Sequence, residues 1–257
     1  MRQSAGPLPA PVAREAARQA GGEIFSTNWE YALKSRQTFC FVALLALACG
    51  AQAERRPQRD AQQQSGVAGE FDYYAVALSW SPSFCAKRDD PGQCAAGRRL
   101  GFVLHGLWPQ YVNGYPQNCT AAKLSPPVRA KYASIYPSPG LIGHEWAKHG
   151  SCSGLEQAAY FDLSAKLKEQ IVIPAAYRQP ASPVRASNAD FVQAFMAANP
   201  AMPANAVLPF CSDGGRFLSE MRACFDKSGG AQSCSAQEVR RSNKSCGQAS
   251  FLMPNVR

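Results

Sequence analysis

Eight cysteines downstream of an export leader are the strongest restriction this 257-residue chain places on its own fold. The leader is read from a basic start at Lys34 and Arg36, an apolar run from Phe39 to Cys49, and a small-x-small site at Ala51-Gln52-Ala53. That run is shorter than a bilayer span requires, so cleavage after Ala53 is expected rather than a retained anchor. A lipid-modified Cys49 fits less well, because Ala46 stands three residues ahead of it. Residues 1–32 are rich in Ala, Pro and Arg and match no export signal, and a translation start near Leu33 would give a compact basic leader. Residues 1–53 are therefore read as an upstream extension plus signal peptide, and the mature chain as periplasmic or secreted. Cys40 and Cys49 leave with the leader. Cys85, Cys94, Cys119, Cys152, Cys211, Cys224, Cys234 and Cys246 remain, an even number that in an exported chain implies disulfides. No C-x-x-C pair occurs among them, which argues against a structural zinc site. Spacing alone leaves on the order of a hundred pairings open.

Residues 54–69 are polar without apolar periodicity and read as a flexible tail. From Phe71, "FDYYAVALSWSPSFC" is a β-type run ending at Pro82, and Leu100 to Leu104 is a second strand candidate. A Pro- and Tyr-rich loop follows, with a short helix expected near Val128–Ser134. "GLEQAAYFDLSAKLKEQI" after Cys152 has helical spacing, and "ADFVQAFMAAN" forms a helix capped at Ser187 or Asn188. "FLSEMRACFDK" reads as a late strand. With no internal repeat or second linker, residues 70–257 are one α+β domain.

Five of the 27 Lys and Arg and three of the 18 Asp and Glu lie in residues 1–53, which leaves a mature net charge of about +7. Such a chain suits anionic partners, whether lipid, polysaccharide or nucleic acid, and charge does not choose among them. The histidines narrow the choice. There are three, His105 in "GFVLHGLWPQY" and His144 and His149 in "GHEWAKHGSC". A zinc-protease helix needs H-E-x-x-H, with histidines four apart on one face. His144 and His149 are five apart and diverge by roughly 140° on a helix. The i,i+4 pairs are His144 with Lys148 and Glu145 with His149, while Trp146 and Ala147 turn toward the core. Two imidazoles, a carboxylate and an ammonium on one side suit an anionic substrate better than a cation. Gly106 permits a tight exit from the strand before it, and Pro109 fixes the chain beyond that turn.

"HGLWPQ" and "HEWAKHGSC" resemble the two signature segments of the ribonuclease T2 family, and "FDYYAVALSWSPSFC" and "FLSEMRACFDK" resemble its first and a late strand. The resemblance covers roughly residues 71 to 246, and exported bacterial members are the most similar. It implies a central, mainly antiparallel sheet flanked by helices, and an endoribonuclease that forms 2′,3′-cyclic phosphates and then 3′-phosphates from single-stranded RNA. No metal or cofactor is expected, since RNA carries its own nucleophile, the 2′-hydroxyl. An inactive RNA-binding module on the same fold is the alternative. A monomer is expected, with no membrane contact beyond the signal peptide. The resemblance makes His149 the base, His105 the acid and His144 a phosphate ligand, with Glu145 and Lys148 stabilising the transition state. It also makes Trp108 a base-stacking platform, with Tyr111 or Tyr115 as partner. Gln110 stands where fungal members carry a base-reading Asp and Ser79 where plant members carry a Gln, so base preference does not carry over. Trp80 and Trp146 are assigned to the core. The implied disulfides are Cys85–Cys94, Cys119–Cys152, Cys211–Cys246 and Cys224–Cys234.

Overall fold

The structure, a computed structural model, describes residues 66 to 256. The expected extension, signal peptide and cleavage site, Cys40 and Cys49, and the tail as far as residue 65 lie outside the described residues. The tail was expected to reach residue 69. Residues 66–69 instead lie against the domain, with the Gly69 N–H donating to the Cys152 carbonyl at 2.9 Å.

Strand β1 (Tyr73–Trp80) leads through two short helices, α1 (Ser81–Cys85) and α2 (Pro91–Cys94), into β2 (Phe102–Gln110). Helices α3 (Pro126–Tyr132), α4 (Leu141–Lys148), α5 (Gln157–Glu169) and α6 (Ala175–Arg178) precede the short β3 (Val184–Ala186). Then come α7 (Asn188–Ala198), β4 (Val207–Ser212), β5 (Phe217–Phe225), α8 (Ala236–Ser245) and β6 (Phe251–Met253). The sheet order is β2-β1-β5-β6-β3, with β4 also on β5, and every pairing is antiparallel except β5 with β6. This is the α+β, mainly antiparallel architecture expected.

Local signals explain several elements. Ser187 caps α7, its hydroxyl accepting from the Asp190 N–H at 3.1 Å. Ser235 caps α8 in the same way from the Glu238 N–H, an S-x-x-E pattern that the sequence reading passed over. Period-2 alternation then sorts the sheet's two faces. Tyr74, Val76, Leu78 and Trp80 of β1, with Met221, Ala223 and Phe225 of β5, pack on Tyr160, Phe161 and Leu167 of α5 and Phe191 and Phe195 of α7. Each large apolar side chain buried there contributes roughly 1.5–3 kcal/mol. Trp80 and Trp146 both belong to this core, their indole N–H groups donating to the carbonyls of Pro254 and Ala122. The opposite face carries a small cluster of Tyr73, Leu208, Phe210, Cys224 and Cys234. That face is where the polar residues of β5 accumulate.

The second strand is longer than its apolar run indicated. β2 continues five residues past His105, through Trp108 and Pro109 to Gln110, so no turn lies at Gly106. Pro109 is tolerated because β2 is the edge of the sheet, where a missing N–H breaks no ladder. In place of a turn there is a bulge. Ala77 faces Gly106 and Leu78 faces Leu104, so His105 has no partner on β1. An extra residue of this kind locally twists a strand and re-aims its side chain, a device found beside active sites.

Four disulfides close the domain: Cys85–Cys94, Cys119–Cys152, Cys211–Cys246 and Cys224–Cys234, the pairing the resemblance implies. The second ties the loop after β2 to the turn that follows α4, so two histidine-bearing segments share one covalent anchor.

Candidate active site

Helix α4 positions its polar residues by burying Ile142 and Trp146, one turn apart, in the main core. His149 is the C-cap, and its N–H still donates to the Glu145 carbonyl at 3.0 Å. The i,i+4 relation of Glu145 and His149 therefore holds. Both side chains are withdrawn from solvent, Glu145 completely and His149 to 4 % exposure, while His144 is exposed and Lys148 half-buried. Ala147, expected in the core, is only half-buried. Glu145 lies directly over Gly106: a Cβ there would come within 1.8 Å of Glu145 Oε2. The glycine is needed for that close approach rather than for a turn.

Trp108 joins the two histidine segments. Its Nε1–H donates to Glu145 Oε2 at 2.8 Å, and its ring stacks on His149 with centroids 5.0 Å apart and planes 25° apart. His105 meets the same indole edge-on at 5.0 Å. On β5, Glu220 and Arg222 project from the same face. Glu220 Oε2 lies 2.8 Å from His105 Nδ1, and Arg222 sits 4.8 Å from the Trp108 ring centroid. His105 Nε2 is then 3.8 Å from Glu145 Oε1. That carboxylate oxygen and His149 Nδ1 are buried with no hydrogen-bond partner, a costly state unless a ligand completes it.

The surroundings push the two central imidazoles in opposite directions. Burial lowers the His105 pKa, but the Glu220 hydrogen bond and charge, with Glu145 behind, reverse this and leave it raised. Burial, then the cations Lys148, His144, His105 and Arg222, hold His149 well below the ordinary range. His144 is lowered by burial, Lys148 and His105. Burial lifts Glu145 to about 7 against the pull of His105 and the Trp108 hydrogen bond. Burial would raise Glu220 as well, but Arg222 and His105 overcome it and bring it down to about 2. One imidazole is thus held toward its cation, the other toward its neutral form, around a single indole.

The Ribonuclease T2 family matches residues 71–234. This chain belongs to the ribonuclease T2 family. A ribonuclease of Aeromonas hydrophila is 43% identical over 212 residues, spanning 77% of this chain and 92% of that protein. A probable ribonuclease of Haemophilus influenzae is 37% identical over 120 residues, which cover 40% of this chain and 44% of that one. Among solved structures, an RNase-related protein from Calystegia sepium superposes with a TM-score of 0.58 at 21% identity, covering 73% of this chain and 99% of that chain. Ribonuclease MC1 from bitter gourd seeds gives 0.55 at 22% identity, covering 70% and 99%. These structures share the fold. As a ribonuclease T2 member the chain is an endoribonuclease.

The T2 signature segments bring His105, Glu145 and His149 together, with His144 and Lys148 close enough to act on His149 by charge. The expected base-binding residues divide. Tyr115 is 39 % exposed, with its ring 6.5 Å from His149, and can offer a face to a base. Gln110 is buried and its amide donates to the Pro109 carbonyl, so it does not reach the site. Tyr111 is half-buried against the main core. Trp108, expected as an open platform, is only 8 % exposed and already covered by His149, His105 and Arg222. It is a buried floor between the two histidine segments. Glu220 and Arg222 were missed as site residues. The available signal was two charges at i,i+2 within an otherwise apolar strand, "FLSEMRACF".

Trp108→Phe separates the floor from the platform. Phenylalanine keeps a ring against His149 and removes the donor to Glu145. A fall in kcat of about tenfold, with KM nearly unchanged, is expected from the loss of a charge-assisted hydrogen bond worth ~1.5 kcal/mol. A stacking platform would give the reverse, a raised KM at preserved kcat. Steady-state kinetics on a short RNA reads the difference.

Proposed function

We propose that this chain cleaves single-stranded RNA through attack by the RNA's own 2′-hydroxyl, using the two imidazoles packed on Trp108 as base and acid and requiring no metal ion or cofactor. The observation that carries this is their opposite electrostatic setting, His149 buried among cations and His105 paired with a carboxylate. His149 enters neutral and takes the 2′-hydroxyl proton, the 2′-oxygen bonds to phosphorus, and the P–O5′ bond breaks as His105 delivers a proton to the leaving oxygen. Water then opens the cyclic phosphate with the two roles exchanged, leaving a 3′-phosphate. Glu145, with Oε2 committed to Trp108, has Oε1 free for a phosphoryl oxygen, and below about 7 it can donate a proton there rather than repel it. Lys148 and His144 supply positive charge to the phosphate. Tyr115 is the residue placed to stack on a base; base-aromatic stacking tolerates sequence.

Four disulfides in a basic chain favour work outside the cytoplasm, in the periplasm or beyond the cell, and a monomer suffices because every side chain named comes from one domain. The test is product analysis by mass on one defined RNA, with and without a chelator. A 2′,3′-cyclic phosphate appearing first and a 3′-phosphate later, at equal rates in both samples, is expected. A 5′-phosphate product, or activity lost to the chelator, overturns the reading.

A further inference from the structure

We propose that Glu220 is the positioning residue of His105, and that Arg222 and Glu238 fix Glu220 in turn. The inference rests on the reading of His105 as a proton donor and names what makes it one.

The geometry is a chain of buried charges running away from the site. Glu220 Oε2 meets His105 Nδ1 at 2.8 Å, and its Oε1 accepts from Arg222 Nε at 2.7 Å. Arg222 Nη1 donates to Glu238 at the first turn of α8, and Glu238 Oε2 accepts from Arg241 at 3.0 Å. The Arg222 guanidinium is clamped between aromatic faces, 4.0 Å from the Phe210 ring centroid and 4.8 Å from that of Trp108. Glu220 and Glu238 have almost no exposed surface. Buried ion pairs seldom add net stability over apolar packing of the same volume, so stability gives little reason to place three charged side chains there. Orientation gives a better one. His105 is the unpaired residue of the bulge, so the β1 ladder does not hold it, and Glu220 grips it from two strands away.

A carboxylate on Nδ1 has two consequences. The Nδ1–H points at Glu220, which leaves Nε2 as the nitrogen that faces Glu145 and the substrate. The same carboxylate stabilises the imidazolium, as an orienting carboxylate does in a nucleophile–base–carboxylate triad. His105 is faced by Glu220 and Arg222 from β5 and by Glu145 from α4, and it acts in turn by charge on His144 and His149. Lys87 and Arg88, after α1, line the same groove. Of these groups, only Glu220 contacts Nδ1.

The test compares wild type with Glu220→Gln, which keeps the length and an acceptor and removes the charge. Titration of His105 by NMR should shift down by about 1–3 pH units in the variant. The alkaline limb of kcat/KM should move with it. kcat should fall at least about tenfold, within the roughly 10⁴-fold ceiling set by loss of an orienting carboxylate, while KM stays within about twofold. Glu220→Asp, restoring the charge, should recover part of both. A folded Glu220→Gln variant with an unmoved His105 titration and an unmoved alkaline limb overturns the proposal. If the variant does not fold, nitrogen chemical shifts of wild-type His105 decide. Neutral His105 keeping its proton on Nδ1 supports the proposal, and a proton on Nε2 overturns it. The NMR readouts need no turnover, so they stand apart from any failure of the cleavage mechanism itself.

Discussion

His149→Ala and His105→Ala should each lower kcat on RNA by at least 10²–10⁴-fold, the usual size of one proton-transfer role in the transition state. The two losses are separable by pH. A base must be unprotonated, so the wild-type rate rises as His149 loses its proton, with a midpoint below its ordinary ~6.5 because burial and neighbouring cations depress it. An acid must be protonated, so the rate falls as His105 loses its proton, with a midpoint above ~6.5 because Glu220 and Glu145 outweigh burial. Between them lies a broad maximum at mildly acid to neutral pH. His149→Ala should erase the acid limb and His105→Ala the alkaline limb of what activity remains. Residual activity in His149→Ala with an unchanged acid limb would show that another group takes the 2′-hydroxyl proton. Both imidazoles are packed on Trp108, so melting curves of each variant must accompany the kinetics.

A single 2′-deoxy nucleotide on the 5′ side of a mapped cut should abolish cleavage at that bond. The effect is larger than that of any side-chain change, because the nucleophile itself is removed while every protein group stays in place. Neighbouring bonds in the same oligonucleotide should be cut at their former rates, which supplies an internal control for binding. DNA of the same sequence should bind through its phosphates, with an affinity that falls as salt rises, and remain intact. Cleavage that persists at the 2′-deoxy position would require a nucleophile from water or protein, and the roles given to His149 and His105 would then be wrong.

The legible parts of this protein are those written in short stretches. Ser187 caps α7 because its own hydroxyl reaches a backbone N–H three residues on. The i,i+4 relation of Glu145 and His149 needs only a helical turn. Eight cysteines between Cys85 and Cys246, with no C-x-x-C pair among them, imply a cross-linked domain whatever its shape. The longer-range features were not legible in the same way. Leu100 to Leu104 looked like a complete strand because its apolar run ends there, whereas β2 runs on through His105 to Gln110 by pairing with β1. The family resemblance makes Trp108 a base platform, and of the groups that cover it only His105 is near in sequence. His149 covers it from 41 positions away, and Arg222 from 114.

Residue types and local spacing were enough to point to an anionic substrate, and the family resemblance added the expected roles: imidazoles that move protons, a carboxylate one turn from one of them, and cations for a phosphate. Which imidazole is held charged was left to the folded state. A pKa depends on burial and on charges within a few ångströms, and in this chain those arrive through contacts between distant segments. Glu220 reaches His105 across 115 positions, because β1 lies between β2 and β5 in the sheet and the bulge turns the ring toward β5. No window of sequence contains that contact, and it is the contact that sets His105 apart from His149.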